Sequence, residues 1–166
     1  MSRFLLGLVS IAGTGFWLLT GANLISAPQQ PTSSSPSVRY LETNAFQKER
    51  AFSPAVITRG GRTIWLAGQT ATEDLKGKSV LGDFQGQART VFALMDGTLK
   101  RSGGSLQNLV TMTVFMTDSR HGDQFVKIRH EMFLDGKFPT SALITVSGLA
   151  QPGMLIEIQG VAVIGD

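Results

Sequence analysis

Residues Asp83–Met116, DFQGQARTVFALMDGTLKRSGGSLQNLVTMTVFM, change hydrophobic period partway along, and that change decides the fold class. In the first half Phe84, Ala88, Val91, Phe92, Met95 and Leu99 recur at steps of three and four, which predicts an amphipathic helix. Asp83 is placed to cap it and Gly103-Gly104 to stop it. Leu109–Met116 (LVTMTVFM) is nearly apolar on both faces, as expected of a strand central to a sheet.

The pattern continues outward in both directions. Asp118 or Ser119 can cap a second helix carrying Phe125, Ile128, Met132 and Phe133 on one side. Pro139 precedes a predicted strand Ala142–Val146, and Leu155–Ile164 (LIEIQGVAVI) makes a long final one. Towards the N-terminus, Val38–Leu41 is a short strand candidate. Ala55–Thr58 faces Arg62–Ala67 across Gly60-Gly61, a hairpin signal because both turn positions want positive φ. From Val56 onward the order is ββαβαββ. This predicts a two-layer α+β domain with both helices on one side of the sheet.

The 166 residues are 42% hydrophobic and 16% charged, enough for one domain with a real core. Fifteen Lys+Arg against 12 Asp+Glu leave a net charge of +3, too small to mark a nucleic-acid surface, so no nucleic-acid partner is expected. With no cysteine, disulfides, thiol nucleophiles and thiolate zinc sites are excluded. The two histidines, His121 and His130, cannot build a His-rich metal site, and both read as surface helix residues; no metal and no cofactor is expected.

Phe4–Ala27 is uncharged and rich in Leu, Ile, Phe and Trp, with Arg3 before it and Pro28 after. A basic start, an apolar centre and the small residues Thr20-Gly21-Ala22 fit an export signal. The run also reaches the roughly 20 apolar residues of a spanning helix, although its glycines, Ser10, Thr14 and Asn23 weaken it. Residues 1–27 are therefore expected to be a signal peptide or an N-terminal membrane anchor. Either reading makes the rest of the chain exported, periplasmic or tethered facing the periplasm. Residues 28–50 are read as a flexible linker rich in Pro, Ser and Gln with a short lead-in segment, and 51–166 as the folded domain.

Glu157 alternates with Ile156 and Ile158, so its side chain and that of Gln159 point to the face opposite those isoleucines. A Glu so placed describes most half-solvated strands; the functional alternative is a general base that activates water in a cleft. Gly68-Gln69 ends the strand TIWLAGQ, where a glycine permits close approach of backbone or ligand, or simply a turn. Arg89 and Arg129 each read as part of a solvated helix face.

Taken together, AFSPAVITRGGRTIWLAGQ, the helix with QART, GGSLQNLVTMTVFMTD, FPTSALITV and LIEIQGVAV resemble the Rid family (reactive intermediate deaminases, YjgF-like, once called L-PSP endoribonucleases) over roughly residues 51–164. The resemblance implies a chorismate-mutase-like fold and a homotrimer with a barrel-like centre, whose small-molecule clefts lie between subunits. Members that deaminate hydrolyse imines or enamines to carbonyl compounds and ammonia. They grip a substrate carboxylate with an arginine two residues after the FP pair, and here that position is Ser141. The frequent cysteine is replaced by Leu143, the aromatic hydroxyl supplied by the partner subunit by Phe52, and the serine before Gly68-Gln69 by Ala67. Glu157 matches the family's acid, allowing one extra residue around Ala150–Gly153.

The expectation is a cleft lined by Phe52, Ala67, Gly68, Gln69, Ser141 and Leu143, with Glu157 as its catalytic group and no guanidinium to hold an anion. An arginine–carboxylate contact contributes about 1.5–3 kcal/mol, which Ser141 cannot replace. A smaller, uncharged imine, enamine or carbonyl compound is therefore favoured over a 2-imino acid. The alternative is a non-catalytic homotrimer that binds a small molecule in the cell envelope. Arg62 and Arg129 are the first arginines to inspect in the cleft.

Overall fold

The computed structural model describes Ser37–Gly165 apart from Leu134. The expected signal or anchor and most of the expected linker lie outside the described residues. Among the described residues no helix is long and apolar enough to cross a membrane.

Among the described residues, six strands and three α-helices follow in the order β1 (Ser37–Tyr40), α1 (Ala45–Glu49), β2 (Val56–Arg59), β3 (Arg62–Gln69), α2 (Phe84–Arg101), β4 (Leu109–Met116), α3 (Gly122–Met132), β5 (Thr140–Thr145) and β6 (Ile156–Ile164). From Val56 onward this is the expected ββαβαββ. The fold begins earlier than residue 51, because β1 pairs antiparallel with β2 and α1 stands between them. Asn44 and Gln47 cap α1 reciprocally, each side chain accepting from the other's backbone N–H at 2.8 and 2.9 Å.

The main sheet runs β3-β6-β4-β5, antiparallel except for the β4–β5 pair. β4 is internal, as its two apolar faces predict. Gly60 and Gly61 do take positive φ, 67° and 75°, but β2 and β3 do not form the expected hairpin. β2 pairs with β1 and β3 with β6, so the two glycines bend the chain from one sheet into another. A turn signal specifies the bend, whereas pairing went to β6, which offers β3 a register from Arg62↔Ile164 to Gln69↔Ile158.

Asp83 caps α2 by accepting from the Gly86 N–H at 3.1 Å, a contact that contributes about 1 kcal/mol. Gly103, at φ 84°, ends the helix, and the Gly104 N–H returns to the Leu99 carbonyl at 2.9 Å. α2 packs on β6, β3 and α3. Between the layers Phe92 meets Phe125 and Phe133, with ring centroids 5.9 and 6.0 Å apart. Met112, Val114, Ile156 and Ile158 close this core from the strands; each such side chain stabilises by about 1.5–3 kcal/mol.

The opposite sheet face carries Trp65 on β3, Glu157, Gln159 and Val161 on β6, Thr111, Thr113 and Phe115 on β4, and Ile144 on β5. No described element covers it, and Trp65 is 78% exposed.

Candidate functional site

The acid is set on the open face by an irregularity in β3. Leu66 pairs with Gly160 and Gln69 with Ile158, so β3 spends one more residue than β6 over this interval. The result is a bulge at Ala67-Gly68. Glu157 leans into it: a Cβ built on Gly68 would lie 1.9 Å from Glu157 Oε1 and 2.9 Å from its Cδ. Only a glycine leaves room for the carboxylate there. Glu157 is half-buried, and no side chain among the described residues pairs with it. Gln69 donates to the Gly68 carbonyl at 3.3 Å, and Ala67 is exposed beside them. Three of the expected lining residues thus stand with the acid.

The other three form a second cluster. Ser141 pairs with Met112 and Leu143 with Val114, whose side chains face the helices, whereas Glu157 pairs with Phe115 on the opposite face. Phe52 joins Ser141 and Leu143 because Ser53 is pinned nearby. Its hydroxyl donates to the Phe138 carbonyl at 2.6 Å and its N–H to that of Pro139 at 3.3 Å. Phe46, Arg50 and Arg129 complete a pocket of about 160 Å³. Within one chain the acid and Ser141 therefore occupy different sites on different faces.

Arg129 corrects one expectation, since it is 1% exposed rather than part of a solvated face, and with Arg50 it is among the residues lining the Ser141 pocket. The signal was present in the sequence, since Arg129 follows Phe125 by four residues and so shares its buried stripe. Its guanidinium carbon lies 5.2 Å from the Phe125 ring centre. Nη2 donates to the Arg50 carbonyl, and Nε and Nη1 have no hydrogen-bond partner among the described residues. Burial, and secondarily the charge of Arg50, pushes Arg129 down to about 10, so it remains cationic at neutral pH. Arg50 itself pairs with Asp123.

The remaining candidates serve the scaffold. Arg62 donates to the Ser102 carbonyl at the end of α2, 3.0 Å away, and Arg89 pairs with Glu131 on the surface. His121 stacks on Phe84 with centroids 4.2 Å apart; the exposed His130 meets the Glu49 carbonyl at 2.9 Å. No three His, Asp or Glu side chains converge on a metal-sized site among the described residues.

A mixed four-stranded sheet, helices on one face and an acid in a glycine bulge on the other, defines an α+β domain of the chorismate-mutase-like kind. The chain belongs to the Rid/YjgF family: residues 42–164 match the family described as Endoribonuclease L-PSP. It is 31% identical over 114 residues to protein DfrA of Myxococcus xanthus, covering 68% of this chain and 84% of that one. To a RutC family protein of Pyrococcus horikoshii it is 29% identical over 104 residues, 63% of this chain and 81% of the relative. The crystal structure of YyfB from Yersinia pestis, a Rid-family protein of unknown function, shares the fold with a TM-score of 0.67 at 24% identity. That match covers 78% of this chain and 98% of YyfB. At the family level, membership carries a role in handling imine and enamine metabolites, by proteins that are small-molecule-binding oligomers.

Proposed function

We propose that this protein is an imine/enamine deaminase of the Rid type, exported or tethered outside the cytoplasm, with Glu157 as the group that activates water. The observation that carries the reading is the seat of Glu157: half-buried on an open sheet face, lodged in a glycine bulge and, among the described residues, bound to no other side chain. A carboxylate held at one place yet left unpaired is available to a water molecule and a substrate. Water adds to the C=N carbon while Glu157 takes one of its protons and passes it to nitrogen. The hydroxyl of the tetrahedral adduct then gives up its proton through Glu157 to nitrogen as the C–N bond breaks, so that ammonia leaves and a carbonyl compound remains.

The cleft is completed by a neighbouring copy in a homotrimer, which brings its Phe52, Ser141 and Leu143 towards the first chain's Ala67, Gly68, Gln69 and Glu157. Such an arrangement accounts for why these two groups lie on different faces of one chain. The test is release of ammonia and keto acid from imines generated by an amino-acid oxidase. The parent should exceed the buffer rate, and Glu157→Gln should lose about 100-fold or more, the usual range for general acid–base catalysis. A parent rate equal to buffer, or a Glu157→Gln variant equal to the parent, would remove the acid from the reaction.

A further inference from the structure

We propose that the end of the domain at which β1 begins is a docking surface for an anionic lipid bilayer, with Arg39, Arg59 and Arg101 directed at the lipid phosphates and Ile57 among the headgroups. The proposal rests on the reading of residues 1–27 as a tether and adds which end of the domain meets the membrane. The pairing register fixes that end. Ser37, the first residue of β1, pairs with Arg59, the last of β2, so the chain that follows the apolar run enters the domain beside the Gly60-Gly61 bend. Arg62 begins β3 just past that bend, and its Nη2 donates to the Ser102 carbonyl at 3.0 Å, one residue beyond the end of α2. Entry strand, bend and helix end are thereby gathered at one place.

That place is basic. Arg39 lies opposite Ile57 and Arg59 opposite Ser37, and because strand side chains alternate, these four share one face of the two-stranded ribbon. All four are exposed, Ile57 at 46%. Arg101 is the last residue of α2, next to the Ser102 carbonyl that Arg62 grips. Among the described residues Arg39, Arg59 and Arg101 have no acid within ion-pair distance, and Arg101 donates to the Thr98 hydroxyl at 3.2 Å. No Asp or Glu occurs in residues 28–41, 50–72 or 97–117, the segments that lead to and form this end. Of the acids nearest to them, Asp96 is held by Lys100 at 2.7 Å, and Asp166 lies outside the described residues.

Reach and charge together name the occupant. Residues 28–36 separate the apolar run from Ser37 and span at most roughly 30 Å when fully extended. A surface that holds the apolar run is therefore met first and repeatedly by the end at which Ser37 enters. Anionic lipid attracts cations over about 8 Å at physiological salt. Guanidinium groups bind phosphate oxygens two at a time, and Ile57 beside two of them supplies the apolar contact that a headgroup boundary favours. A nucleic acid would use the same charges and leave the isoleucine in water.

The chain has no cysteine, so Ile57→Cys in the full chain takes a polarity-sensitive fluorophore at one position. The labelled chain is mixed with vesicles of phosphatidylcholine alone or of phosphatidylcholine with phosphatidylglycerol. The emission is expected to shift to the blue on the anionic vesicles, to stay near its buffer value on the neutral ones, and to lose the shift in about 1 M salt, where the screening length is about 3 Å. Combining Arg39→Gln, Arg59→Gln and Arg101→Gln should lower the ratio of docked to undocked chain about 100-fold, close to fivefold for each charge, and abolish the shift while far-ultraviolet dichroism stays that of the parent. Co-sedimentation with the neutral vesicles reports the tether by itself, so failure of the tether and failure of docking read differently. The proposal is overturned if the label does not shift on anionic vesicles, if it shifts equally on neutral ones, or if the triple variant shifts as the parent does. An equal shift with a single-stranded oligonucleotide in place of lipid would overturn it too, by assigning the surface to nucleic acid.

Discussion

Gly68 and Glu157 act as a pair in which the glycine's only contribution is space. Alanine at 68 would have to push the carboxylate aside, because its Cβ would lie 1.9 Å from Glu157 Oε1. The obstacle is the far end of a flexible side chain and Gly68 has no positive φ, so the fold should absorb the change. Gly68→Ala is therefore expected to lie within about 1 kcal/mol of the parent in urea unfolding, while deamination falls at least tenfold. A variant that is as active as the parent would show that the position of the acid is immaterial. Glu157 as a candidate was legible in its strand alternation, but its contact with Gly68 depends on the β3–β6 register, which no local pattern encodes. Arg129 was legible and misread, because arginine's usual surface preference outweighed a spacing that pointed inward.

At the scale of elements, one buried amide ties α2 to the segment that delivers β6. Gln87 is fully buried; its Nε2 donates to the carbonyls of Val80 at 2.9 Å and Gly153 at 2.7 Å, and its Oε1 accepts from the Leu155 N–H at 2.8 Å. Gln87→Leu keeps the volume but leaves the Leu155 N–H without its acceptor, while the Val80 and Gly153 carbonyls still accept from the Asp83 and Gly82 N–H groups. It should lower stability by about 1–3 kcal/mol in chemical denaturation. A smaller loss would mean that water replaces the amide. The helices and β4 could be read from the sequence because period, caps and glycine stops are local. The pairing of β2 was not, because a glycine pair states that the chain turns and leaves open which strand will supply the ladder. Gln87 lies on the buried stripe beside Ala88 and gave no sign of the loop carbonyls it would meet.

For the molecule as a whole, the unanswered surface is the sheet face away from the helices. Trp65 at 78% and Ile144 at 41% exposed are large apolar groups in water, and a groove of about 270 Å³ runs beside Trp65, Thr111, Thr113 and Gln159. An apolar face of this kind marks a contact surface. Light scattering is expected to give three times the mass of the chain, and Trp65→Glu to shift it towards one copy while far-ultraviolet dichroism keeps its shape. A parent that runs as a single copy would leave Glu157 without the neighbour that the proposed cleft requires. Composition had already indicated one domain and a mild charge, but an internal strand and a strand awaiting a partner look alike in sequence. Both alternate, and both carry β-branched and aromatic residues.

The bulge at Ala67-Gly68 has a consequence for how this chain can change over time. Removing one residue there would restore an even ladder with β6 and leave Leu66 opposite Gly160 and Gln69 opposite Ile158, so the core would keep its faces while the recess that seats Glu157 closed. Insertions and deletions, usually tolerated near the ends of strands, should be excluded from this short interval wherever the acid is kept, and homologues that keep it should hold both the length and the glycine at 68.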